Sequence, residues 1–251
     1  MIRYFIELAY NGSKYHGWQI QPGAPTVQEE LNKALSTLLR EDISVVGAGR
    51  TDTGVHASFY VAHFEVEQQL ANPGQIVYKL NRLLGKDIAI YQLYQVHPDI
   101  HARFSALSRT YKYYLDKQKD PFTYTYAWKV FPLPEITRMN EACRILFEYT
   151  DFTSFSKLHT DVKTNYCTIL EAYWEDTGSQ LIFTIKANRF LRNMVRAIVG
   201  TMLEVGQGKL SINGFRKIIE SKDRCCAGTS VPGHALFLYD IEYPQGIKKF
   251  Q

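Results

Sequence analysis

The chain carries one pattern twice: a strand-like alternation, a helical stripe, two further strand-like stretches, a second helical stripe and a closing strand. In residues 3–10, Tyr4, Ile6, Leu8 and Tyr10 fall at every second position, which predicts a strand with one buried face. Asn11-Gly12 ends it in a turn. Thr26 followed by Glu29 has the spacing of a capping box, and Val27, Leu31, Ala34, Leu35 and Leu38 continue as the apolar stripe of a helix. Strands are expected over 43–48 and 58–66, on either side of a glycine-rich segment. Asn72-Pro73 opens a second helix through Ile76, Leu80, Leu83 and Leu84; Gly85 stops it, and 88–96 supplies the strand that ends the first round.

The second round begins with a strand over 110–117. Pro134 opens a helix carrying Ile136, Met139, Cys143 and Leu146, and strands follow over 168–174 and 180–187. A long helix over 190–205, a short one over 211–221 and a strand over 235–243 complete it. The order strand–helix–strand–strand–helix–strand is that of a ferredoxin-like unit. Two such α/β halves, 1–105 and 106–251, predict an α+β protein whose strands form one wide, mainly antiparallel sheet, with helices on one face and a cleft between the halves.

Tyrosine and phenylalanine, 17 and 14 of them, lift the aromatic share to 14%, and the net charge is +4 with a sequence pI near 8.7. Flat rings with a modest basic excess suit stacking against bases and a polyanionic partner. No apolar run is long enough to span a bilayer, and the strand-like N-terminus does not read as a signal peptide. Cys143, Cys167, Cys225 and Cys226 contain no C-x-x-C pair, so reduced thiols in a cytoplasmic protein are expected, with neither a zinc framework nor a disulfide scaffold.

Four segments invite a chemical reading. Gly47-Ala-Gly-Arg-Thr-Asp-Thr-Gly-Val-His-Ala57 sets one carboxylate, Asp52, among three glycines and two residues after Arg50. Such a turn is a common seat of chemistry, and equally a place where an aspartate bonds its own backbone. On the helix expected over 190–205, Arg189, Arg192 and Arg196 fall at offsets of three and seven, opposite Leu191, Met194, Val195, Ile198 and Met202. An unmixed basic face suits phosphates or a functional carboxylate, but a solvated surface looks the same. From His101 to Tyr114, Arg103, Arg109 and Lys112 interleave with Phe104, Tyr111 and Tyr113, tyrosines that either pack in a sheet or stack on a base. Tyr15-His-Gly-Trp-Gln19 is a polyanion contact or a packed loop. Phosphate-binding glycine loops, dinucleotide fingerprints, nucleophile elbows and the zinc-deaminase signature are all missing from the sequence.

These segments, in this order, resemble the tRNA pseudouridine synthase A family. The likeness runs through Tyr15–Gln19, Thr26-Val-Gln28, Gly49-Arg-Thr-Asp-Thr-Gly-Val-His56, His101-Ala-Arg-Phe-Ser105, Arg109-Thr-Tyr-Lys-Tyr113, Asp151-Phe-Thr-Ser-Phe155 and Asn193-Met-Val-Arg-Ala-Ile-Val-Gly200. It implies isomerisation of uridine at positions 38 to 40 of the tRNA anticodon stem-loop by a homodimer, with no metal and no organic cofactor. Matched residue by residue, it implies Asp52 as the catalytic aspartate and Arg50 as the arginine that displaces and holds the target nucleotide. Tyr111 becomes the tyrosine stacked on its base, and Arg196 the partner of the aspartate. Two positions depart: Ile20 stands where many relatives have arginine, and His234 interrupts a run of small residues before the last strand.

The chemistry accords with these residue types. The C1′–N1 bond must break, the base must turn, and C5 must join C1′, after the nucleotide has left its stack at a cost of about a few kcal/mol. A carboxylate can act on the sugar or base, a neighbouring arginine favours its ionised form, and a stacked tyrosine returns roughly 1–3 kcal/mol.

Overall fold

β1 (Ile2–Tyr10) is covered on both faces: Tyr4, Ile6, Leu8 and Tyr10 are buried as their alternation predicts, and so is Phe5 between them. β1 pairs antiparallel with β3 (His56–Val66) on one edge and β4 (Ile88–Gln95) on the other, and on its second face Phe5 packs in a cluster with Val61, Tyr94, Val96 and Ala102. The structure, a computed structural model, describes residues 1–157 and 164–247. Over these the protein is a mixed α+β chain with a mostly antiparallel sheet and five α-helices. The chain divides into two compact units, Met1–Leu107 together with the segment from Leu238, and Ser108–Phe237.

In the first unit the strand order is β4–β1–β3, continued by β9 (Leu236–Glu242), with the short β2 (Val46–Gly47) beside β3. α1 (Val27–Leu39) starts where Thr26 Oγ1 accepts from the Glu29 amide at 3.4 Å, a cap contributing about 1 kcal/mol. It buries Val27, Leu31, Ala34 and Leu35. The strand expected over 43–48 shrinks to two residues because α1 supplies the missing partners. Asn32 Oδ1 accepts from the Val45 amide, Ser36 Oγ accepts from the Ile43 amide, and Gln28 Nε2 donates to the Val45 carbonyl. α2 (Pro73–Leu83) begins at the expected Asn72-Pro73, with Asn72 Oδ1 capping the Gln75 amide at 3.0 Å. Of its stripe Leu80 is fully buried, whereas Leu83 is exposed.

In the second unit β5 (Ser108–Asp116) pairs antiparallel with β8 (Gln180–Ala187), which pairs antiparallel with β7 (Ile169–Asp176); β6 (Trp128–Lys129) runs parallel to β5. Tyr113 and Phe183 face each other in the β5–β8 ladder, and Trp174 stacks on Phe183 at 5.0 Å. α3 (Ile136–Leu146) buries Met139, Cys143 and Leu146 as its stripe predicts. α4 (Met194–Gly206) differs from expectation. It starts four residues later than the periodicity suggests, because Asn193 takes a left-handed conformation (φ 67°) that ends the helix there. Nearly all its residues are buried, so it is a core helix rather than an amphipathic surface one. α5 (Ile212–Ser221) follows, capped by Ser211 Oγ on the Gly214 amide.

Candidate active site

Asp52 is half-buried in the turn that joins β2 to β3, and this turn is tied to the chain that leaves β1. The Tyr10 hydroxyl and Thr51 Oγ1 share a hydrogen bond of 2.9 Å. The Trp18 amide donates to the Thr51 carbonyl at 3.4 Å and the Gly54 amide to the Tyr15 carbonyl at 3.3 Å, while the Val55 amide closes the turn on the Asp52 carbonyl at 3.1 Å. The Gly12 amide donates to Nδ1 of buried His56 at 3.0 Å. That bond requires Nδ1 to be unprotonated and assigns the proton of a neutral ring to Nε2. Hydrogen bonds therefore hold the backbone on both sides of Asp52, which fixes where its carboxylate leaves the chain.

Close approach makes this clamp possible. A Cβ on Gly12 would lie 2.0 Å from the Val55 carbonyl oxygen. At Gly47 it would meet the Tyr60 hydroxyl at 2.2 Å and the Trp18 ring at 2.5 Å. Gly47 thus makes room for a Trp18–Tyr60 stack with centroids 4.1 Å apart, and the Tyr60 hydroxyl in turn donates to the Gly49 carbonyl at 2.5 Å. The two readings of the 15–19 loop divide between its residues: Tyr15 and Trp18 are packed inside, His16 and Gln19 are exposed. Arg50 is exposed at the mouth of the turn.

In the second unit Tyr111 lies on β5 opposite Ile185, half-buried, with its ring edge-on to Phe190 at 5.1 Å. Tyr113, two residues on, is fully buried and donates to the Pro232 carbonyl at 3.0 Å. Burial pushes its phenol well above the ordinary range, so it remains neutral. Of the two same-face tyrosines, Tyr113 is the packing residue and Tyr111 retains exposed surface. Arg109 Nη1 donates to the Asn188 carbonyl at 2.9 Å.

The three arginines do not share a helix face. Arg189 and Arg192 precede the left-handed Asn193 and lie in the loop before α4, where Arg189 Nη1 donates to Thr164 Oγ1 at 3.3 Å. Arg196 is in the first turn of α4, half-buried, with Nε donating to the Val231 carbonyl at 2.7 Å. Arg50 and Asp52 thus belong to the first unit, and Tyr111 and Arg196 to the second. The supports of the aspartate turn escape a reading of the sequence: Tyr10 presents itself as a strand residue, and His56 as the end of a motif. Ile20 is exposed, and His234 is half-buried in the 3-10 turn Gly233–Ala235. Among the described residues no group of three or more His, Cys, Asp or Glu is arranged to hold a metal ion, and no helix is long and apolar enough to cross a membrane.

A family model described as tRNA pseudouridine synthase matches residues 8–105 and 142–244, which takes in Arg50, Asp52 and Arg196. A protein of Bacteroides thetaiotaomicron named tRNA pseudouridine synthase A is 61% identical over 250 residues, 98% of this chain and 93% of its own. A protein of Parabacteroides distasonis with the same name is 58% identical over 98% of this chain and 97% of its own. One of Bacillus subtilis, again so named, is 41% identical over 94% of this chain and 97% of its own. The chain belongs to the tRNA pseudouridine synthase family, enzymes that isomerise uridine in tRNA to pseudouridine.

Proposed function

We propose that this isomerase acts on uridines at positions 38 to 40 of the anticodon stem-loop, with Asp52 as the nucleophile or base. The observation that carries this reading is the locked turn: hydrogen bonds shared with Tyr10, Gly12, Tyr15 and Trp18 converge on the residues around one half-buried carboxylate. Preorganisation of that kind is what a reacting group needs. Arg50 displaces and holds the target nucleotide, Tyr111 stacks on its base, and Arg196 pairs with Asp52. The element order of the two units supports reading them as ferredoxin-like halves, with the RNA in a cleft between them. The protein works in the cytoplasm as a homodimer, each tRNA crossing both subunits.

The reaction breaks C1′–N1, turns the uracil and joins C5 to C1′; C5 gives up its proton and N1 takes one up, so that product and substrate are isomers. Asp52→Ala is the decisive variant. Incubated with unmodified tRNA and no added cofactor, it should bind tRNA and form no pseudouridine, whereas the parent enzyme forms it. Retained activity in Asp52→Ala would overturn the mechanism. Mapping pseudouridines in a strain lacking the gene decides the positions.

A further inference from the structure

Between α5 and β9 the chain runs as an irregular strap along the N-terminal half of α4, and the two are joined at successive levels. Asn193 Nδ2 donates to Ser230 Oγ at 2.6 Å. Arg196 Nε donates to the Val231 carbonyl at 2.7 Å, and the Val231 amide returns a bond to the Arg196 carbonyl at 3.3 Å. The Gly228 amide donates to Thr201 Oγ1 at 2.9 Å. At Gly200 a Cβ would sit 1.9 Å from the Thr229 carbonyl oxygen, so the strap touches the helix backbone itself. One side chain gathers the strap: Arg224 Nη1 donates to the Ala227 and Gly228 carbonyls, both at 3.2 Å, and its Nη2 to Ser230 Oγ at 2.9 Å. Pro232 is held from below by the Tyr113 hydroxyl at 3.0 Å.

We propose that this strap is a positioning device for Arg196, and that Arg224 is the positioning residue that sets it. The inference rests on the reading of Arg196 as the partner of Asp52. A guanidinium is a rigid planar fork of five donors. Committing Nε–H to a carbonyl of fixed position sets the plane of the fork and the direction in which its two Nη groups face. The Val231 carbonyl is held in position by the bonds that Arg224, Thr201 and Tyr113 make to the segment around it, together with the Asn193–Ser230 bond and the Val231 amide's own bond to α4. A lysine at 196 could not be aimed in this way, since an ammonium has no plane to set. A displacement of about 1 Å in such a group costs on the order of 10²-fold in rate.

The test compares the parent enzyme with Asp52→Ala, Arg224→Ala, Arg224→Lys and Thr201→Val on transcribed tRNA, together with NMR of the Arg196 Nε–H in arginine-labelled protein. Arg224→Ala should lower kcat by roughly 10–100-fold with KM for tRNA nearly unchanged. The Arg196 Nε–H should lose its exchange protection in the same variant. Arg224→Lys should recover part of kcat, and Thr201→Val should show a smaller loss of the same kind. A folded Arg224→Ala with unchanged kcat and Nε–H signal would overturn the proposal, as would a loss confined to KM. If Arg224→Ala does not fold, Ser230→Ala, which removes an anchor shared by Arg224 and Asn193, decides on the same readouts. An active Asp52→Ala would instead overturn the catalytic reading and leave the Nε–H response to judge the strap alone.

Discussion

A Cβ on Gly17 would lie 2.2 Å from the carbonyl oxygen of Thr51, the residue immediately before Asp52. Gly17 also has φ +86°, a conformation that L side chains rarely adopt. Gly17→Ala therefore brings backbone strain and an overlap with the aspartate turn together, and should destabilise the protein by about 2–4 kcal/mol. Because the overlap falls on the peptide beside Asp52, turnover should fall more steeply than tRNA affinity. Chemical denaturation and single-turnover rates check the two parts, and an alanine variant with normal turnover would show that the turn tolerates movement there.

The bond between the Tyr10 hydroxyl and Thr51 Oγ1, 2.9 Å long and buried, ties the same turn to the end of β1. A double-mutant cycle with Tyr10→Phe and Thr51→Val should give a coupling of about 0.5–1.5 kcal/mol in stability. Coupling of similar size in the activation free energy of isomerisation would mean that the bond aims Asp52. Coupling in stability alone would make it a packing bond.

Stability should fall in mild acid because of His63. Burial first, then the charges of His101 and Arg3, holds its ring pKa down to about 4 against an ordinary 6.5, with Glu65 opposing. Its Nδ1 accepts from the Ala102 amide at 3.2 Å, which also needs the neutral ring. Above pH 6.5 the folded and unfolded forms are both neutral and this stabilisation is complete. Below it the unfolded chain takes up a proton that the folded one refuses, so stability is lost as pH falls from 6.5 through 4. The loss should approach 2–3 kcal/mol, on the order expected for a shift of this size. His63→Asn, which keeps an acceptor near the Nδ1 position, should flatten denaturation midpoints measured across that range. An unchanged slope would assign the acid sensitivity to other groups.

Period and capping carried most of the fold. Thr26 caps the helix its spacing to Glu29 predicts and Asn72-Pro73 opens the next, and β1, β3 and β8 form where strands were expected. Two elements went astray for physical reasons. Residues 43–48 are apolar enough for a strand, but α1 side chains took over their hydrogen bonds, which no periodicity reveals. The 190–205 stretch reads as a continuous helix because its apolar spacing does not register that Asn193 is left-handed. Arg189 and Arg192 consequently left the face on which Arg196 remained. For the candidate site, Asp52 stood out as the lone carboxylate among glycines, whereas its supports did not. Tyr10, Gly17 and His56 act through contacts made by chain crossing, and local sequence is silent about crossings.

Tyr111 allows stacking and hydroxyl chemistry to be separated. Its ring is half-buried, braced edge-on by Phe190 at 5.1 Å, and it lies on the same strand face as the neutral, fully buried Tyr113. The brace should hold a phenylalanine ring in the same place. Tyr111→Phe should therefore bind tRNA as the parent enzyme does, and Tyr111→Ala should lose about 1–3 kcal/mol of binding, the value of one stacked base. Turnover of Tyr111→Phe then isolates the hydroxyl. A fall of more than tenfold at unchanged affinity would assign it a proton-transfer step, a contribution typically on the order of 10²–10⁴-fold. Near-normal turnover would leave the ring as the whole of its role, and binding by Tyr111→Ala equal to the parent's would remove the base from Tyr111 altogether.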